Sequence, residues 1–136
     1  MTSGSLPDAV QARLSGVGLA LIQADTGGPM GSANWRYSDG VVDIEVYNDR
    51  GRMGASAGRA GGDTFQHVVW ARVFGSPAST TATLDEQLDF FLQHLQQIRD
   101  AVTHDPAIDT EIRDANWGAV KERLGLPPDA KRPGTP

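Results

Sequence analysis

The chain has 136 residues, with 12 basic against 17 acidic side chains, a formal net charge of -5 and 39% hydrophobic residues. That length suits one domain with its own core and is short for two, and the acidic balance argues against nucleic-acid and anionic-membrane surfaces, which reward dense Lys and Arg. The absence of cysteine excludes disulfides, thiolate metal ligands and a thiol nucleophile, and fits a reducing cytoplasm.

No basic segment followed by an apolar run opens the chain, and no apolar stretch has the length of a membrane span, so a cytoplasmic protein without a membrane partner is expected. Leu6, Val10 and Leu14 recur at helical spacing, with Ser5 placed to cap the helix and Pro7 suited to its first turn. Gly16 and Gly18 end it. Residues 19–24 are a short apolar run closed by Asp25-Thr26-Gly27-Gly28-Pro29, which reads as a strand and turn. Ser38-Asp39-Gly40 then separates two alternating segments, 33–37 and 41–47, as a hairpin turn does. Asn48-Asp49-Arg50-Gly51 makes a second turn into 52–58, a strand of small residues, and 58–63 is another turn. Residues 65–74 are rich in Val and aromatics and stop at Gly75-Ser76-Pro77; a strand is preferred, although Phe65, Val68, Val69 and Val73 also fit a helical face.

The remainder is helical. Thr83 and Glu86 form a capping box ahead of Leu84, Leu88, Phe91, Leu92, Leu95, Ile98 and Val102, which hold one helical face. Asp105-Pro106 caps a second helix whose inner side carries Ile108, Ile112, Ala115, Val120 and Leu124, ending at Gly125. The expected fold is α+β: an N-terminal helix, an antiparallel meander of four to five strands, and two C-terminal helices on one face. Residues 1–126 make the domain and the Pro-rich 127–136 a flexible tail.

Chemistry-bearing patterns are few. Gly54-Ala55-Ser56-Ala57-Gly58 matches the GxSxG of a nucleophile elbow, but that motif needs a strand–turn–helix context and a parallel sheet, and a Gly-rich turn follows here. Small residues that admit a close neighbour explain the segment as well. His67, His94 and His104 have no metal-ligand spacing, so no metal or other cofactor is expected. His94 falls outside the apolar stripe, as an exposed polar residue would.

On residues 41–49, alternation sends Val42, Ile44 and Val46 inward and Asp43, Glu45, Tyr47 and Asp49 outward. Arg36 and Arg52 can pair with those acids across the ladder, and Trp35 and Tyr37 add aromatic surface to a potential contact face. Residues 83–114 carry a net charge of -6, leaving +1 for all the rest. Acids in first helical turns oppose the dipole, and the excess, including Asp85 and Asp89, would attract a basic protein.

Trp35-Arg36-Tyr37-Ser38-Asp39-Gly40, Asn48-Asp49-Arg50-Gly51 with its small-residue strand, and the capped helix from Thr83 give a layout that resembles the small acidic immunity proteins of bacterial polymorphic toxins. The resemblance implies a non-enzymatic, protein-binding domain that neutralises a basic toxin and carries no catalytic residue. Independently of the resemblance, the aromatic and acidic positions give Trp35, Tyr37, Asp43, Glu45, Tyr47, Asp85 and Asp89 as the expected partner contacts. Alternatives are a secretion chaperone or adaptor, a homodimer, and a small hydrolase or ligand-binding enzyme using Ser56 with His67 and an Asp.

Overall fold

The computed structural model describes residues 6–28, 31–76 and 82–131. The cap expected at Ser5, the turn residue Pro29, the stop at Pro77 and the tail from residue 132 lie outside them. In chain order the elements are α1 (Asp8–Gly16), β1 (Ala20–Asp25), β2 (Ala33–Ser38), β3 (Val42–Asp49), β4 (Arg52–Arg59), β5 (Thr64–Gln66), α2 (His67–Phe74), α3 (Leu84–Gln93), α4 (Leu95–His104) and α5 (Ile108–Leu124). The five strands pair antiparallel in sequence order, β1-β2-β3-β4-β5. This is the expected α+β architecture, with a meander between an N-terminal helix and a helical C-terminal half.

Period-2 alternation sets the sheet's two faces. Val42, Ile44 and Val46 are fully buried on one side, and the register places Trp35 opposite Val46 and Tyr37 opposite Ile44. Ala55 and Ala57, opposite Val46 and Ile44 on the other flank, complete this inner face and are fully buried. Leu88, Phe91 and Ile98 from α3 and α4 belong to the same core, as do Leu6, Val10 and Leu14 at the N-terminus. Burial of each large aliphatic side chain contributes about 1.5–3 kcal/mol.

The segment 65–74 departs from expectation. Only residues 64–66 remain strand, and His67–Phe74 is helical, with Val69, Trp70 and Ala71 buried. Tertiary packing overrides β-propensity here: the helix brings the Trp70 indole N–H to the Ala57 carbonyl at 2.8 Å. Gly75, expected as a strand stop, is the left-handed C-cap at φ 70°, with its own N–H on the Arg72 carbonyl and that of Ser76 on the Ala71 carbonyl.

The helix expected over residues 84–102 is two helices, broken at His94, whose φ of -103° and ψ of 9° leave the α region. The His94 ring is half-buried, stacked on Phe90 at 4.2 Å and on Phe74 at 5.8 Å, so it is not the exposed polar residue expected. The capping box is formed as expected: Thr83 Oγ1 accepts the Glu86 N–H at 3.2 Å and Glu86 Oε1 accepts the Thr83 N–H at 3.1 Å. In α5, Ile108 and Ile112 are buried but Leu124 is 62% exposed, because the helix outruns the core. The start of the expected flexible tail is docked: the Ala130 carbonyl accepts the Trp117 indole N–H at 2.9 Å.

Candidate functional site

The outer face of the sheet is closed at one end. Asp43 Oδ2 accepts Arg36 Nε at 2.6 Å and the Gly61 N–H at 3.0 Å, and the Arg36 guanidinium also donates to the Gly62 carbonyl. The β4–β5 turn is thereby folded over the face, and Asp43 is fully buried. Gly58 permits this, since a Cβ there would lie 2.0 Å from the Asp63 carbonyl oxygen. Burial on its own would raise the Asp43 carboxyl, but the Ser38 hydroxyl, the Gly61 N–H and Arg36 outweigh it and hold the carboxyl below its ordinary value.

A similar clamp holds the β2–β3 turn. Asp39 Oδ1 accepts the N–H groups of Val41 and Val42 at 2.9 and 2.8 Å, while Oδ2 meets Arg99 of α4 at 2.6 Å. Burial again pushes upward, and the Val42 and Val41 N–H groups with Arg99 bring the Asp39 carboxyl below its usual range.

These clamps change the standing of the contacts expected from sequence. Trp35 and Tyr37 are 5% and 3% exposed, members of the core and not of a contact surface. They sit across from Val46 and Ile44, so the pleat turns them inward. Asp43 is withdrawn as well, as the buried anchor of a turn. Glu45 stays on the outer face, 3.5 Å from Arg36, with its side chain 26% exposed. Tyr47 is half-buried, its ring laid across Gly54 and its hydroxyl accepting Gln66 Nε2 at 3.3 Å. Asp85 and Asp89 are open, at 81% and 67% side-chain exposure, and share Arg13 of α1. The expected pairing of outer acids with Arg36 is present; Arg52 forms no ion pair among the described residues, and Asp49 meets Arg50 instead.

The hydrolase alternative loses its context. Ser56 is 7% exposed, its hydroxyl donates to Thr64 Oγ1 at 2.7 Å, and β4 runs into a turn and another strand instead of a helix. Among the described residues, no three His, Asp or Glu side chains gather as metal ligands, and no helix is long and apolar enough to cross a membrane.

What remains open is an edge of the sheet. Among the described residues β1 is hydrogen-bonded only to β2, and all six of its residues are exposed, with Leu21 at 50% and Ile22 at 59%. Ile22 is the extra residue of a bulge between the Leu21–Tyr37 and Gln23–Arg36 pairs. Nearby, Val17 in the α1–β1 connection is 39% exposed. The sequence names the strand but gives no hint that it is uncovered, since an apolar run of this kind normally reads as buried.

The chain matches no protein-family model, and comparison with curated proteins and with solved structures gives no match to either.

Proposed function

We propose that this chain is a non-enzymatic protein-binding domain whose principal contact is the β1 edge. One observation carries the reading: an edge strand exposed along its whole length that presents Leu21 and Ile22 to solvent, with Asp25 its sole charged residue. Natural edge strands are guarded with Lys, Pro or a covering segment, because free N–H and C=O groups recruit another strand. Among the described residues, the bulge and Asp25 are the guards on this edge. A partner strand or apolar surface laid on β1 would satisfy the edge and bury the two side chains.

The net charge of -5 favours a basic partner. Asp85 and Asp89 contribute to that attraction from a distance, which raises the association rate without requiring contact. A toxin-neutralising immunity protein is the specific form of this function, in keeping with the resemblance of its layout.

Capture from the source organism with wild-type and Ile22→Lys protein tests the reading. The expected result is a basic, folded partner held by wild type and lost with Ile22→Lys. A partner retained equally by both removes β1 as the contact; a partner bound only as an unfolded segment favours the secretion chaperone.

A further inference from the structure

Nine arginines lie among the described residues, and six of them meet a carboxylate: Arg13, Arg36, Arg50, Arg59, Arg72 and Arg99. Arg52, Arg113 and Arg123 meet none among the described residues. Two of those three, Arg52 and Arg123, line the same cleft of about 860 Å³, together with Arg72. Its walls are Tyr47 of β3, the outer ends of β4 and β5, helix α2, Gln87 of α3 and the C-terminal part of α5, and its one acid among the described residues is Glu122, which is engaged by Arg72. The formal charge of the lining is therefore +2 with His neutral, in a protein that is acidic overall.

Two glycines inside regular elements lie under lining residues of this cleft, Arg72 and Tyr47. Gly118 lies inside α5, where glycine costs about 1 kcal/mol relative to alanine. A Cβ there would come within 3.0 Å of Arg72 Nη1, so the Arg72 guanidinium lies directly over the glycine. Glu122, one turn on, holds it from the other side and is itself lowered below its usual range, first by the hydrogen bond from Arg72 and then by its charge. Gly54, inside β4, lies under Tyr47 in the same way: a Cβ there would lie 2.3 Å from the phenol oxygen. The ring is thus laid flat, and Gln66 fixes its hydroxyl at the cleft wall. Val68, Ala71 and Ala119 supply apolar lining between the polar groups.

We infer that this cleft is a binding site for a small organic oxyanion, a phosphate or carboxylate carried on an apolar body. Guanidinium forks recognise both headgroups, and two of them here meet no carboxylate among the described residues. The cleft's volume is within the range of small-molecule sites. Arg72, held by Glu122, orients the headgroup, Arg52 and Arg123 supply the uncompensated charge, and the apolar lining takes the body of the ligand. The inference is independent of the β1 edge and of any protein partner.

The test is titration of the full chain with phenyl phosphate, benzoate and inorganic phosphate, followed by calorimetry and by amide chemical shifts. Saturable binding of phenyl phosphate or benzoate is expected, with shifts centred on α2 and on residues 118–123; which of the two binds more tightly identifies the headgroup. Arg52→Gln and Arg123→Gln should each weaken it about tenfold or more. Arg113→Gln, which removes the third unpaired arginine from a different cleft lined also by Arg59 and Ile112, should leave it unchanged. All three positions are exposed, and unaltered circular dichroism confirms folding. Failure of both aromatic anions to saturate, or an equal loss with Arg113→Gln, overturns the site and leaves only general attraction of anions.

Discussion

The two edges of the sheet are treated in opposite ways. At the β4 edge, β5 adds only three residues, yet helices supply side chains that meet the backbone: Gln87 Oε1 accepts the buried Ala55 N–H at 2.8 Å, and Trp70 donates to the Ala57 carbonyl. At the β1 edge the described residues provide no such cover, and apolar side chains face water. An unpaired strand edge inside a protein costs stability, whereas in water it costs little but recruits partners. The first edge therefore belongs to the fold, and the second is the contact proposed for a partner.

Substitutions sharpen that contrast in descending order. Trp70→Ala should have the largest effect, a loss of about 3–5 kcal/mol, since it empties a fully buried volume; the midpoint of chemical denaturation reads it. Gln87→Ala should cost about 1–3 kcal/mol by stranding the Ala55 N–H, with faster amide exchange at residue 55 as its local signature. Acid tests the turn clamps. Because Asp39 and Asp43 are held below their ordinary values in the folded chain, their contribution is complete above the unfolded value near pH 4 and is lost as pH falls through the folded values. Stability should therefore drop steeply below about pH 4, and Asp43→Asn should flatten that acid limb. Glu111, raised by burial and by neighbouring Asp105, titrates in the opposite sense and only softens the fall.

Ile22→Lys at the open edge should have the smallest effect on stability, within about 0.5 kcal/mol. Its consequence is expected in association. A mass measurement in solution checks for self-pairing through β1: if wild type is a dimer and Ile22→Lys a monomer, the edge is occupied by a second copy of the chain and not by a foreign partner. A large loss of stability in this variant would mean that the β1 edge belongs to the fold like the other.

Much of the fold was legible because its signals are local. Alternation in 41–49 gave the pleat, Asp39-Gly40 and Arg50-Gly51 gave the turns, and Thr83 with Glu86 gave a helix start to the residue. The function was far less legible. Trp35 and Tyr37 alternate with Asn34, Arg36 and Ser38, so the pattern showed that they share a face; which face was core depended on pairing with β3. Asp43 reads as an outward acid, and it is outward. It is nevertheless buried, because Gly61 and Arg36 close over it from 18 and 7 residues away. The arginine cleft left a trace in Gly118 and Gly54, glycines inside regular elements, but their place in it is visible only with Arg72 and Tyr47 lying across them.

By itself the sequence determined a single acidic α+β chain, its meander and the capped helix after Thr83, since periodicity, turn glycines and caps act over a few residues. The tertiary structure decided that 67–74 is a helix, that the long helix breaks at His94, and which edge, acid and arginine stay open. Those outcomes depend on contacts between distant segments, where burial and partner geometry outweigh local preference.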